Sequence, residues 1–204
     1  KYKDVDVRFF PRQLGDSVKY SRPMAVWLNG HVAGYDLVHI HGIFSHQTLS
    51  ASHACMRAGI PYVIRPMGML DPWSMNQKPV RKFVAWHLVV KQCMGRAAAI
   101  HYTCEPERLS AEQSLGLSRG IVIPNGVRPE LLDAPSPPSM RGKKNIPSDS
   151  PYILALSRLH AKKGFEILLD AFSAFSRGDQ SGRWNLVIAG DGEPSYVAEL
   201  RARV

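Results

Sequence analysis

Apolar and polar positions along this chain switch repeatedly between two periods. Short runs with strand-like content stand at 35–41, 60–64, 98–102 and 120–123, bounded by glycine, proline or charged turns. Between them, residues 23–32, 47–58, 79–96 and 106–115 repeat their apolar side chains every three to four positions, as amphipathic helices do. Gly59 follows the second of these, where a left-handed cap commonly ends a helix. Residues 5–10 alternate toward Pro11 and read as an opening strand. Strands alternating with helices, several strands apolar on both faces, predict an α/β fold with a parallel sheet covered on two sides.

The rhythm breaks at 133–150, where Pro135, Pro137, Pro138, Gly142 and Pro147 accompany Arg141, Lys143 and Lys144. Such a stretch is a linker or surface loop. Beyond it the pattern resumes with a strand at 153–156, a helix at 165–175, a strand at 185–189 and a helix at 194–203. One βαβ unit cannot bury both faces of its sheet, so this second domain is expected to be incomplete. The predicted division is 1–133, a linker at 134–150, and 151–204.

Composition narrows the picture modestly. Of 204 residues, 45% are hydrophobic, enough for a packed core. The 26 basic and 17 acidic residues divide as 16 and 10 up to Asp133, then 10 and 7. An excess spread this evenly, without a long basic block, argues against nucleic acid as a partner. It suits phosphate-bearing substrates or anionic headgroups. Cys55, Cys93 and Cys104 show no C-x-x-C spacing, so neither a disulfide framework nor a zinc site is expected, and a reducing cytoplasm is. The longest apolar run, 83–90, contains His87 and is too short to span a bilayer.

Ligands of open α/β sheets sit beyond the carboxyl ends of strands, so those loops carry the candidate chemistry. After the strand at 153–156, Arg158 and Lys163 stand between a strand end and a helix start. A guanidinium can grip a diphosphate through two hydrogen bonds, an ammonium adds a point charge, and the helix N-terminus adds its dipole. Gly164 would let backbone approach the ligand closely. A solvated basic loop is the plainer reading of the same spacing.

In the first half, His41 and Gly42 end one predicted strand, Arg65 and Gly68 follow the next, and Glu105 follows a third. Glu105 suits contact with sugar hydroxyls or, equally, the start of the following helix. His39 and His41 share one side of a strand. With His46 or His53 they would form a metal set, but one core histidine and one cleft residue is the better reading, and no metal is expected. Asp4-Val5-Asp6 matches a D-x-D metal signature formally, yet begins a strand rather than following one. Residues 72–104 contain no acidic side chain but carry Lys78, Arg81, Lys82, Lys91 and Arg96. Val80, Phe83, Val90 and Met94 are expected on one side of this helix and Lys78, Arg81, Lys82 and Arg96 opposite, with Leu88 and Val89 falling amid the basic face. That helix would suit peripheral contact with an anionic membrane, or simply cover the sheet with a solvated edge.

In order, these segments resemble the group 1, or family 4, retaining glycosyltransferases of the bacterial exopolysaccharide type. The resemblance rests on Tyr20-Ser21-Arg22-Pro23, on Asp36-Leu37-Val38-His39-Ile40-His41-Gly42-Ile43-Phe44 and on Arg65-Pro66-Met67-Gly68-Met69-Leu70-Asp71-Pro72-Trp73. It continues through Thr103-Cys104-Glu105, Pro124-Asn125-Gly126-Val127, Arg158, Lys163-Gly164 and Gly190-Asp191-Gly192. It implies a GT-B architecture of two Rossmann-like domains with parallel sheets. It further implies transfer of a sugar from a nucleotide-sugar donor, a substrate rather than a cofactor, to a glycan or lipid-linked acceptor. Retention, independence from metal, and a place at the inner face of the plasma membrane in surface polysaccharide or glycolipid synthesis come with it.

By the same resemblance Arg158 and Lys163 stabilise the leaving diphosphate. Gly164, Gly190 and Gly192 lie beside the nucleotide, and Asn125-Gly126 belong to the crossover between domains. His41, Gly42, Arg65, Gly68 and Glu105 line the acceptor side. The family's glycine-rich loop would precede Lys1 and its Glu-x7-Glu region would follow Val204, so these residues alone are expected to be inactive. Met67 departs from the pattern, since many relatives place His or Arg just before that glycine and a thioether cannot donate a hydrogen bond. A sugar-nucleotide epimerase of the same fold is the alternative enzyme, although no carboxylate–histidine set for proton abstraction is evident. A binding module for anionic polymers or membranes is the alternative from charge alone, although the aromatic residues mostly hold core-like positions.

Overall fold

The computed structural model describes residues 5–15, 18–129, 151–178 and 184–204. Asp4 and the expected linker at 134–150 lie outside them. The chain divides into two units, Lys1–Val127 and Arg128–Val204.

The first unit is a four-stranded parallel sheet: β1 (Val38–His41), β2 (Tyr62–Arg65), β3 (Ala99–Tyr102) and β4 (Gly120–Val122), in that spatial order. Helix α1 (Arg22–His31) precedes the sheet and packs on α2 (His46–Ala58). Ser21 caps α1 by accepting from Met24 N–H. Gly59, with φ +71°, ends α2 in the left-handed conformation that a side chain would resist. A short helix, α3 (Pro72–Met75), starts where Asp71 accepts from the Trp73 and Ser74 N–H groups. Then come α4 (Pro79–Ala85), a π-turn (Trp86–Val90) and α5 (Lys91–Arg96), and α6 (Glu105–Leu115) joins β3 to β4.

Three expectations are corrected. Residues 5–10 form no strand; they run over α1, with the Phe10 ring 5.7 Å from Trp27 and the Arg8 guanidinium 5.0 Å above the same indole. They join neither edge strand of the sheet, β1 or β4, and alternation alone cannot make a strand. Among the described residues the first unit's sheet is covered on one face, not two. Right-handed crossovers between strands in strict sequential order all land on the same side. The core lies there, with Ile40, Tyr62, Ile64, Ile100 and Tyr102 of the strands meeting Ala54, Cys55, Trp86, Val90, Cys93, Met94 and Ala111 of the helices. The opposite face carries His39, His41, Arg65 and His101, by the register His39↔Val63↔Ala99 and His41↔Arg65. Finally, the helix at 79–96 is interrupted by its π-turn, whose wider winding rotates the downstream face. Val90 and Met94 are buried as expected, but Val80 and Phe83 are exposed.

The second unit pairs β5 (Tyr152–Leu156) with β6 (Asn185–Ala189) in parallel, linked through α7 (Phe165–Ser176) and followed by α8 (Pro194–Arg201). Among the described residues no helix is long and apolar enough to cross a membrane.

Candidate functional site

In each unit the candidate residues gather beyond the carboxyl ends of the strands. The two sets are built differently.

In the first unit the sheet's hydrogen bonding continues past β1, where Gly42 N–H donates to Arg65 O at 2.9 Å. Gly42 sits at φ +83°, and a Cβ there would touch the Met69 methyl at 3.6 Å. Past β2 the chain turns sharply, with Met69 N–H donating to Pro66 O at 3.2 Å across Met67 (φ +58°) and Gly68 (φ +70°). Two successive left-handed residues are what a type I′ turn requires, and Met67 fills one such place against its steric preference. The thioether at 67, unable to donate, is 55% exposed on this turn. Gly68 N–H donates to Glu107 Oε1 at 2.9 Å. The other oxygen of that carboxylate accepts from Thr103 N–H and Thr103 Oγ1, each at 2.9 Å. Glu107 therefore ties the loop after β2 to the loop after β3.

Arg65 extends from β2 to the loop after β4, where its guanidinium hydrogen-bonds Asn125 Oδ1. Its Nε is buried, with no hydrogen-bond partner among the described residues. Next to it runs a histidine chain. His101 Nε2 lies 2.8 Å from Ile123 O, which can only accept, so that nitrogen carries the proton. In the neutral ring Nδ1 then accepts from His39 Nε2–H at 3.2 Å. The His41 ring lies 4.5 Å from that of His39. Burial, and then the neighbouring His41, His101 and Arg65, hold His39 below the ordinary histidine value. Burial followed by Arg65 and His101 does the same to His41. Both rings therefore favour the neutral form.

The structure thus brings His41, Gly42, Arg65, Gly68 and Asn125 to one edge of the sheet. Glu105 stands apart from this network. It opens α6 and pairs with Arg108 on the helix surface, its side chain 54% exposed. That pairing holds its carboxyl below the usual range. Glu107, two residues on, is the carboxylate that organises the loops, and sequence reasoning passed over it. The available signal was an acid at the third helical position after a strand-ending threonine, the place from which it can reach back to backbone N–H groups. His46, considered above as a ligand, instead packs tilted against Tyr20 with ring centroids 4.4 Å apart and sits 3.1 Å from Ser50 Oγ. Cys55 and Cys93 are buried thiols and Cys104 is exposed.

In the second unit backbone does the joining. Ser157 N–H donates to Ala189 O at 3.1 Å and Leu159 N–H to Asp191 O at 2.8 Å, so the β5–β6 ladder runs on into both loops. A Cβ on Gly190 would lie 1.8 Å from Ser157 O, and one on Gly192 would lie 2.1 Å from Leu159 O. These glycines are needed because the two loops touch through their main chains. Arg158 is presented, exposed, between the two contacts. The chain then forms a 3-10 turn (Ala161–Lys163), started by His160 Nδ1 accepting from Lys162 N–H at 3.1 Å. Gly164, at φ +66°, closes the turn and opens α7. Lys163 is exposed at that junction. Two cations and a helix N-terminus are collected around one short loop, an arrangement suited to an anion.

Known proteins share the family and the fold of this chain. The glycosyl transferase 4-like domain family matches residues 3–126, and the glycosyl transferases group 1 family matches residues 137–203. No curated protein sequence matches the chain. Among solved structures, Anabaena HepE in complex with UDP-glucose matches with a TM-score of 0.58 at 20% identity, over 89% of this chain and 48% of that one. Sucrose-phosphate synthase from Thermosynechococcus elongatus matches with a TM-score of 0.57 at 18% identity, over 87% and 43%. A UDP-forming α,α-trehalose-phosphate synthase from Burkholderia vietnamiensis gives 0.53 at 15% identity, over 89% and 44%. The chain spans about half the length of these structures or somewhat less. Likeness at such identities establishes the fold, a GT-B arrangement of parallel α/β units of which this chain covers part. The family follows from the match that runs through the first unit, nearly from Lys1 to Val127: the chain belongs to the glycosyl transferase 4-like family.

Proposed function

We propose that the protein transfers a sugar, most simply a hexose, from a nucleotide-sugar donor to a glycan or lipid-linked acceptor with retention at the anomeric carbon. The observation that carries this reading is the backbone clasp of the second unit, which fixes Arg158 between two glycine contacts beside Lys163 and the start of α7. When the bond from the anomeric carbon to the diphosphate breaks, negative charge grows on the departing oxygens. A preorganised guanidinium, an ammonium and a helix N-terminus stabilise that charge more than they stabilise the intact donor, which lowers the barrier. The acceptor hydroxyl oxygen forms the new bond to the anomeric carbon and passes its proton to the departing diphosphate oxygen. Gly164, Gly190 and Gly192 keep this loop pair low enough for a nucleotide to lie along it. On the first unit His41, Arg65 and the Gly42–Gly68 edge face the acceptor.

A UDP-glucose complex of HepE and two sugar-phosphate synthases among the matching structures support a nucleotide sugar as donor class. Retention, and surface polysaccharide or glycolipid synthesis at the cytoplasmic face of the membrane, rest on the motif resemblance. The test is made in the complete protein. After UDP, GDP and dTDP have been screened for binding, Arg158→Ala and Lys163→Ala are assayed for turnover with the matching donor. Each is expected to lower kcat by about 100-fold or more and to weaken diphosphate binding. Unchanged turnover and affinity in both variants would remove the basis of the reading.

A further inference from the structure

The segment from Pro79 to Arg96 divides its apolar side chains into two sets. Trp86, Val90, Cys93 and Met94 enter the core. Val80, Val84 and Leu88, at i, i+4 and i+8, point outward with exposures of 78%, 48% and 73%. An apolar stripe of this kind on a basic helix is the surface such helices lay on a lipid interface.

Beside the stripe, between α2 and α4, opens a cavity of about 440 Å³. Ile43, Leu49, Ala85 and Val89 supply apolar wall, and Lys78 and Arg81 also line it. Both cations are exposed and so stand at its open side. Residues 72–104 contribute no acid to neutralise them. The volume falls in the range of small-molecule sites. A free phosphate or sugar phosphate would satisfy the mouth and leave the apolar wall unfilled. A neutral lipid would fill the wall and leave the cations unmatched. An anionic amphiphile in a leaflet answers both features and also explains the adjoining stripe.

We propose that this cavity receives an acyl chain of an anionic phospholipid, whose phosphate is held by Lys78 and Arg81 while Val80, Val84 and Leu88 rest in the same leaflet. This goes beyond sugar transfer and does not depend on it. The complete protein is tested by flotation with phosphatidylcholine vesicles, alone or with about 30 mol% phosphatidylglycerol, and by direct binding of lysophosphatidylglycerol. Flotation is expected only with the anionic vesicles and is expected to be lost in the double variant Lys78→Glu, Arg81→Glu, both changes lying on the surface. Ala85→Trp, which fills the cavity, is expected to weaken lysophosphatidylglycerol binding at least about tenfold with an unchanged circular dichroism spectrum. Glycerol 3-phosphate is expected not to compete. Equal flotation with both vesicle types, flotation surviving the charge reversal, or glycerol 3-phosphate binding as tightly as the lysolipid would each overturn the proposal. So would a folded Ala85→Trp protein with undiminished lysolipid affinity.

Discussion

The two units hold their strand-end loops together by opposite means. In the first, side chains span the gaps: Glu107 joins Gly68 to Thr103, Arg65 reaches Asn125, and His39 and His101 connect β1 to Ile123. In the second, main chain touches main chain through Gly190 and Gly192, and the side chains of Arg158, between the contacts, and Lys163, beyond them, are exposed. A side-chain network fixes loop positions but commits its polar groups to one another. A backbone clasp fixes the loop while leaving the charged side chain it carries outside the fastening. The second design suits a group whose work is to meet a charge that appears only during reaction. The first suits a shaped, largely prebuilt edge.

The sharpest way to break this comparison is to put a methyl group in the clasp. Gly190→Ala places a Cβ 1.8 Å from Ser157 O, and the obstacle is backbone, not the end of a flexible side chain. The loops must part, and the expected loss is about 3 kcal/mol or more of second-unit stability, with nucleotide binding abolished. Gly178→Ala, also in the second unit, is the control, because a Cβ there would come no nearer than 3.4 Å to Phe175 O. Urea unfolding of both variants, read beside diphosphate affinity, decides it. If the two behaved alike, the close approach would not be what these glycines provide.

Glu107→Ala attacks the other fastening. It removes three hydrogen bonds and strands the N–H groups of Gly68 and Thr103 in a half-buried setting. The expected cost is about 2–3 kcal/mol, measured by urea unfolding of the complete protein, with little change in diphosphate affinity because the fastening belongs to the first unit. Glu105→Ala, which removes only a surface pair with Arg108, is expected to leave the urea midpoint essentially unchanged. Similar losses from the two would mean that the loops are tied by something other than Glu107.

Much of this architecture was legible in the residues, and the failures share a cause. The strands at 38–41, 62–65, 99–102 and 120–122 and the helices between them follow from local period, because each buries one face within a few residues of itself. The Arg158, Lys163 and Gly164 loop was legible for the same reason, as its strand, turn and helix are contiguous. What escaped depends on partners far along the chain. Residues 5–10 alternate like a strand, but their partner is the Trp27 indole of α1, which the alternation does not reveal. Glu107 looked like any first-turn acid until Gly68, thirty-nine positions earlier, proved to be its partner. The close approach of Gly190 and Gly192 to the carbonyls of Ser157 and Leu159, more than thirty positions earlier, is likewise invisible in local pattern. The π-turn at Trp86–Val90 leaves no mark in hydrophobic period, yet it decides which of Val80, Phe83 and Val90 reaches the core.

The smallest effect concerns Met67, the one place in the first unit's edge where sequence and backbone disagree. Its φ of +58° puts a long side chain in the left-handed region, where all residues but glycine pay in sterics, and asparagine and aspartate least among the rest. Since the side chain is 55% exposed, replacing it removes little packing. Met67→Asn is therefore expected to stabilise the first unit by a few tenths to about 1 kcal/mol, seen as a raised Tm. If the turn is merely a connector, acceptor turnover in the complete protein should be unchanged by the same substitution. A more stable protein with a raised KM for the acceptor and an unaltered affinity for the donor diphosphate would instead assign the thioether a contact on the acceptor side. That outcome would fit the strain being retained because the side chain it displays is used there.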